Sequence, residues 1–121
     1  MSEKEYTDQL FSKENFTREN WENYVLFRCS FENCDFTESN FSHAKFIDCK
    51  MKGCNLSLVK VNQCRFQGVH FENCKLVGVN FCNCDKTFLL LNFVKCLIDT
   101  SNFSDLNLWW SAKTGQKNRI E

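Results

Sequence analysis

The chain has 121 residues, a length that suggests a single domain. Its 15 basic and 15 acidic residues cancel, so overall charge gives no bias toward nucleic acid or an anionic membrane. No apolar run approaches the ~18 residues of a membrane span, and residues 1–5 lack the basic-then-apolar order of a signal peptide. Nine cysteines without such a signal predict a reducing, cytoplasmic location.

Apolar residues recur at every fifth position from Tyr6 to Phe81. A period of five fits neither a helix, which repeats every 3.6 residues, nor a strand, which repeats every two. A long repeat at fixed period indicates a solenoid, here one in which each five-residue unit forms one side of a coil. The apolar centres, which would point to the axis, are Tyr6, Phe11, Phe16, Trp21, Leu26, Phe31, Phe36, Phe41, Phe46, Met51, Leu56, Val61, Phe66, Phe71, Leu76 and Phe81.

Residues 1–23 keep this period but differ from the rest at the position two before each centre. Gln9, Glu14 and Glu19 stand there, and burying a carboxylate is costly. We therefore predict that residues 1–23 form an irregular first strand or an N-terminal cap over the first coil.

From residue 24 onward the position two before each centre is small or β-branched, apart from Tyr24. Such residues fit inward gaps between bulky centres. The residues at this position are Cys29, Cys34, Ser39, Ala44, Cys49, Cys54, Val59, Cys64, Val69, Cys74, Val79 and Cys84.

Several units carry a family resemblance, among them 34–38 (Cys-Asp-Phe-Thr-Glu), 39–43 (Ser-Asn-Phe-Ser-His) and 54–58 (Cys-Asn-Leu-Ser-Leu). They resemble the pentapeptide-repeat family, whose consensus is Ala-(Asp/Asn)-Leu-X-X, and the likeness covers about residues 24–108. It implies an all-β fold, a right-handed quadrilateral parallel β-helix of about four to five coils with four units each. Residues twenty apart would then stack in columns, such as Leu26/Phe46/Phe66 and Phe31/Met51/Phe71.

The period breaks after Phe81, because Lys86 stands where a centre is due. It resumes two residues later with Phe88, Phe93, Ile98, Phe103 and Leu108. We interpret residues 85–87 as a two-residue insertion in the solenoid, with a small functional loop as the alternative.

The repeat stops at Leu108, so residues 109–121 are predicted to be a C-terminal cap or flexible tail. Trp109 and Trp110 follow the last coil directly. They either plug its open end, as a solenoid requires, or form the contact of a homodimer. The resemblance implies the second role, since members of the family pair through their C-terminal coils.

Eight of the nine cysteines fall on inward positions, which favours a role as small buried apolar residues. The predicted columns are Cys29/Cys49, Cys34/Cys54/Cys74 and Cys64/Cys84. Stacked pairs are near enough for a disulfide, but parallel side-chain directions and a reducing compartment argue against one. Cys82 is predicted to face solvent as the one reactive thiol, and no zinc-like spacing is present. We predict no metal and no cofactor.

Catalysis is not predicted, because neither His43 nor His70 can be placed with a nucleophile and a carboxylate. No glycine-rich phosphate loop occurs either. We expect a protein that is not an enzyme and whose function lies on its outer faces or ends.

The resemblance also implies, as an alternative, binding to a type II topoisomerase (DNA gyrase or topoisomerase IV). Some family members bind these enzymes by mimicking DNA, and some of those protect against quinolones. Mimicry needs a dense carboxylate ridge, as DNA carries one charge per ~1.7 Å. The acidic excess lies in residues 1–44, net −5, against net +5 for 45–121. The candidate acidic face within this part of the chain comprises Glu22, Glu32, Asp35 and Glu38.

Three functions therefore remain open from the sequence. The first is a rigid cytoplasmic scaffold that binds another protein, and the second is the topoisomerase-binding DNA mimic. The third is a thiol-based redox or metal protein. Neither nucleic acid nor a membrane is predicted as a direct partner.

Overall fold

The structure, a computed structural model, describes residues 4–98 and 119–120 and consists there of short strands. In that part of the chain a single 3-10 helix, Phe81–Asn83, interrupts the strands, and no helix has the length and apolar character to span a membrane. The strands are β1 (Glu5–Thr7), β2 (Leu10–Ser12), β3 (Val25–Phe27), β4 (Ser30–Glu32), β5 (Lys45–Ile47), β6 (Lys50–Lys52), β7 (Arg65–Glu72), β8 (Lys75–Leu76), β9 (Asp85–Val94), β10 (Leu97–Ile98) and β11 (Arg119–Ile120).

The strands pair in parallel, and up to β7 every pair joins residues twenty apart. Leu26 thus lies beside Phe46, which lies beside Phe66. β1, β3, β5, β7 and β9 stack on one side of the molecule, and β2, β4, β6, β7 and β9 on the next. The chain is a parallel β-solenoid of about five turns, as the sequence predicts.

Each side ends at a corner residue with a left-handed backbone conformation. φ lies between +53° and +77° at every fifth residue from Asp8 to Gly78. Because these corners recur every five residues and coils every twenty, each coil has four sides. Most corner residues are not glycine, so the strain of each left-handed corner is offset by bonds to the neighbouring coil, such as Arg28 N–H to the Ile47 carbonyl at 2.9 Å.

The Asp or Asn that precedes many centres has a local structural role. The Oδ1 atom of Asn55 accepts a hydrogen bond from the backbone N–H of Ser57 at 3.0 Å, and Asp35 binds the Thr37 N–H at 2.9 Å in the same way. A side-chain oxygen that binds the backbone two residues on fixes a turn. This explains why an Asp or Asn stands directly before the buried apolar residue in many units of the repeat.

The centres form one continuous apolar core along the axis. Rings stack from coil to coil: Phe11 on Phe31 with centroids 4.8 Å apart, and Phe71 on Phe93 at 5.1 Å. The inward small positions from Cys29 to Cys84 are buried as well. The prediction that side chains five apart converge on the axis is confirmed from Trp21 to Phe81.

The first coil is more regular than the sequence suggests. β1 and β2 pair with β3 and β4 in the same twenty-residue register as later coils, so residues 5–12 are not an irregular segment. Glu14 and Glu19 are exposed in this coil, so neither carboxylate bears the cost of burial. Carboxylates at this position of the repeat are therefore compatible with a regular coil.

The prediction that Phe88 is a core centre is wrong. In the pairing of β9 with β7, Asp85 lies beside the residue twenty positions earlier, whereas each residue from Leu91 onward lies beside the one twenty-two positions earlier. The two extra residues therefore lie between 85 and 91. There Phe88 takes a left-handed conformation, φ 60°, and is 65% exposed, while Leu89 packs against the core. Extra residues of this kind bend a strand and redirect a side chain. Phe93 and Ile98 are buried centres as predicted.

Candidate functional surfaces

The four predicted acidic residues do not lie on one face. Glu32 lies on β4, Asp35 bridges Asn15 and Asn55 on the next side, and Glu38 is the corner residue after it. Glu22 lies on the fourth side, where its backbone N–H donates a hydrogen bond to Asn20 Oδ1. The chain therefore spreads its acidic excess around the coil.

Charges of opposite sign alternate along some of the columns. Glu32, Lys52 and Glu72 stand one above another on the side formed by β4, β6 and β7. Neighbouring coils also form ion pairs, Arg28 with Asp8 at 2.8 Å and Arg18 with Glu38 at 3.9 Å. Alternating charges stabilise adjacent strands modestly but cancel one another at a distance.

An apolar face, which the sequence analysis missed, runs along the outer side of β3, β5, β7 and β9. We define it by Phe27, Ile47, Phe88 and Leu90. Phe27, Ile47, Gln67 and Leu90 are paired in succession and so form one column. Leu90 is 49% exposed, and Phe88, two residues earlier in β9, is 65% exposed.

Two arginines lie over the aromatic rings of this apolar face. The Arg28 guanidinium is 4.2 Å from the centroid of Phe27, and that of Arg65 is 5.6 Å from Phe88. Arginine and aromatic side chains together are enriched in protein interfaces. The signal in the sequence was weak: Phe27 and Ile47 each follow a centre directly and are twenty residues apart.

The cysteines occupy the positions that the sequence predicts. Cys82 is partly exposed, and the other eight are buried: Cys29, Cys34, Cys49, Cys54, Cys64, Cys74, Cys84 and Cys96. A typical thiol, Cys49, shares its one S–H between two carbonyl oxygens, that of Leu26 in the coil below at 3.3 Å and that of Ile47 at 3.5 Å. None of the nine, all within residues 4–98, is in a disulfide.

Burial also suppresses ionisation of these thiols. It raises the pKa of Cys49 to about 12 and that of Cys84 to about 11. Cys64, which is fully enclosed, has a pKa raised well above its usual value by the same cause. Since the thiolate is the reactive form, these side chains are protected both by access and by charge state.

We expect a thiol reagent such as dithiobis(nitrobenzoate) to modify about one thiol rapidly in the native protein at pH 8, Cys82, because the reagent needs an accessible thiolate. All nine should react in guanidinium chloride. A Cys82→Ser variant should lose the rapid phase. Several rapid equivalents in that variant would contradict the buried-cysteine interpretation.

The histidines lie on different sides of the coil. His43 is an exposed corner residue with φ 59°. His70 lies on β7, where Nδ1 is 3.0 Å from the Asn92 amide and Nε2 is 3.8 Å from Glu72. The structure does not bring the two together. Across residues 4–98, no group of three or more His, Cys, Asp or Glu side chains is arranged to hold a metal ion.

The first coil that the structure describes is rich in aromatic residues. An open depression of about 230 Å³ lies over Tyr6, Phe11, Phe16, Trp21 and Tyr24. The predicted interface residues at the other end, Trp109 and Trp110, lie outside the described residues, as do the predicted centres Phe103 and Leu108. Their roles stay predictions.

Comparison with known proteins agrees with this geometry. The model of the pentapeptide repeat region matches residues 24–103, so the chain belongs to the pentapeptide repeat family. A search of curated proteins gave no match.

Solved structures with a similar fold include full-length QnrB1, described as a plasmid-mediated fluoroquinolone resistance protein. It is 19% identical with a TM-score of 0.56, and the match covers 78% of this chain and 63% of QnrB1. This chain therefore spans less than two thirds of that protein. The search also matched the pentapeptide repeat protein Rfr23 from the cyanobacterium Cyanothece 51142, which is 16% identical with a TM-score of 0.42, covering 98% of this chain and 84% of Rfr23.

Proposed function

We propose that this chain is a non-catalytic binding protein that presents the apolar face of its solenoid to another protein. The observation that carries this proposal is the column of Phe27, Ile47 and Leu90, in which Gln67 stands between Ile47 and Leu90, with Phe88 beside it. Three inter-coil steps of ~4.8 Å make the column about 14 Å long. Large side chains that a rigid sheet holds in the open lose little conformational entropy when a partner covers them.

The interior offers no competing site in the coils of residues 21–81, because its axis is filled by the stacked centres. A rigid surface with arginines over aromatic rings is suited to protein contacts, in which such residues dominate the binding energy. The flanking column of Lys45, Arg65 and Asp85 supplies a polar rim of mixed charge.

The proposal is tested by affinity capture from the source cell with quantitative mass spectrometry. We expect a Phe88→Ser, Leu90→Ser variant to lose the partner, because the exposed end of the column is removed while the core is untouched. The matched control is Leu58→Ser, which removes another exposed leucine, 53% exposed, at a corner away from the face. Retention of the same proteins by all three forms would overturn the proposal.

A second candidate function is binding to a type II topoisomerase, favoured by the likeness in fold to QnrB1. The spread of Glu22, Glu32, Asp35 and Glu38 around the coil speaks against it, because phosphate mimicry needs carboxylates in a dense row.

We therefore expect no protection of DNA gyrase supercoiling against a fluoroquinolone, even with this chain in large excess. The reason is that basic and acidic residues share the columns, as in Glu32, Lys52 and Glu72, which leaves no extended negative field. QnrB1 serves as the positive control in the same assay. Dose-dependent recovery of supercoiling by this chain would favour the second candidate over the first.

A further inference from the structure

Two lysines from successive coils, Lys75 and Lys95, line the same open pocket, which has a volume of about 360 Å³. Lys95 is a corner residue, with φ 54°, and it lies beside the corner residue Asn73 of the preceding coil. Lys75 comes two residues after Asn73 and pairs with Asn55 of the coil below. Both lysine side chains are exposed. Their two ammonium groups can therefore reach one ligand from two coils.

The remaining polar groups of the pocket can donate to an anion. The Oδ1 atom of Asn55 accepts the backbone N–H of Ser57 at 3.0 Å, so its NH₂ group is the part of the amide left to bind a ligand. Asn73 places a second amide on the pocket wall. Gly53 forms the corner below without a side chain, since its φ is +66° and a Cβ atom there would collide with the Asn33 side chain. The pocket thus combines two charges with two amides around an open corner.

No carboxylate of the described residues neutralises the two lysines. The described lining of the pocket contains no acidic side chain, and the ion pairs found within residues 4–98 involve other cations. Glu72 lies on the preceding side of the coil, 3.8 Å from His70 Nε2. Asp35 lies two coils below Lys75 and accepts hydrogen bonds from Thr37. The pocket therefore carries uncompensated positive charge.

We propose that this pocket binds a phosphate group, either as the free ion or as the monoester of a small molecule. A phosphate group carries a charge of about −1.5 to −2 at neutral pH and has strong acceptor oxygens. Lysine binds phosphate as a point charge on a flexible stem, so Lys75 and Lys95 together match the charge of the group. The amides of Asn55 and Asn73 donate to its remaining oxygens. The pocket is larger than one phosphate ion, which leaves room for a small organic substituent.

A second pocket on the molecule provides a matched comparison. It has a volume of about 170 Å³, and its polar lining includes Lys60, Asn62, Asn80 and Asn83. Its described lining thus offers the same types of polar side chain, but only one of them is cationic. A phosphate group should prefer the pocket with two lysines, because two charges attract a dianion more strongly than one.

The test uses the full chain at low ionic strength, since salt screens exposed charges. Inorganic phosphate, glycerol phosphate and acetate are titrated separately, and two-dimensional NMR spectra locate the site through shifts of the backbone amide signals. The variant is Lys75→Gln, Lys95→Gln. The matched control is Lys13→Gln, Lys60→Gln, which removes the same charge from exposed lysines outside the pocket. Circular dichroism confirms that both variants fold.

We expect saturable binding of one phosphate group per chain, with amide shifts centred on residues 53–55, 73–75 and 95–97, and weaker binding of the singly charged acetate. The Lys75→Gln, Lys95→Gln variant should bind phosphate about tenfold more weakly or worse, because it loses two charge-assisted hydrogen bonds. The control should stay within about twofold of the parent, since exposed charges outside the pocket are screened.

The two probes also distinguish the source of the phosphate group. Tighter binding of glycerol phosphate than of inorganic phosphate would identify a small monoester as the ligand, and equal or weaker binding would identify the free ion. Equal losses in the two variants, or amide shifts spread over all the lysines, would show attraction to overall charge and overturn the proposal. Absence of saturable phosphate binding by the parent chain would overturn it as well.

Discussion

Replacing Phe31 with alanine is expected to lower the free energy of unfolding by about 3–5 kcal/mol, the usual loss for a fully buried phenylalanine. Its ring is 0% exposed, lies 4.8 Å from Phe11 in a stacked arrangement and meets the edge of Phe36 at 5.2 Å. The cavity would open in the middle of the core, where β4 is held between β2 and β6 and collapse is limited. Urea unfolding followed by circular dichroism measures the loss.

Phe88→Ala is the matched control, since Phe31 and Phe88 both fall on apolar positions of the sequence period. We expect a change within about 0.5 kcal/mol for Phe88, as for other surface substitutions, because its ring stands in solvent beside Arg65. Equal losses at the two positions would mean that Phe88 is a core residue after all.

The protein is expected to lose stability steeply above about pH 9, and Cys49 alone should account for about 2 kcal/mol by pH 10.5, at 1.36 kcal/mol per unit of pKa shift. Burial raises the pKa of this thiol from 9.0 to about 12. The folded state therefore keeps a proton that the unfolded state releases. The stabilisation is complete below pH 9 and declines as the pH rises toward 12.

Cys49→Val isolates this effect from the titration of lysines and tyrosines. Valine occupies the equivalent inward position at Val59, Val69 and Val79, where it is buried, so packing is preserved. The difference in unfolding free energy between parent and variant is measured from pH 7 to pH 10.5. A difference that stays constant over this range would show that Cys49 ionises no later in the folded state than in the unfolded one.

Most of the core could be predicted from the sequence, because a solenoid gives every unit the same surroundings. Phe31 and Phe66 each lie three residues after one left-handed corner and two before the next, so one period places both at the axis. The same reasoning placed Cys29 and Cys74 inward, and the resemblance supplied the twenty-residue stacking that brings Leu26 beside Phe46.

The errors occur where the surroundings stop being equivalent. Phe88 matches the period, but the sequence does not say how a strand accommodates two extra residues, and the bulge in β9 turns that ring outward. Glu14 and Glu19 were expected to disturb the first coil, but their side chains are exposed rather than buried there. The apolar face was not predicted, because Phe27, Ile47 and the pair Phe88 and Leu90 belong to different coils, twenty or more positions apart, and form no short motif.

The twenty-residue register has a consequence for how such a chain can change in length. Excising residues 45–64 would join Ala44 to Arg65, each beside the same kind of neighbour as before, so a shorter rod of the same cross-section results. Removing five residues would rotate all later sides by a quarter turn, and adding two forces a local distortion, as β9 illustrates. Rods of this type therefore grow and shrink most easily by whole turns.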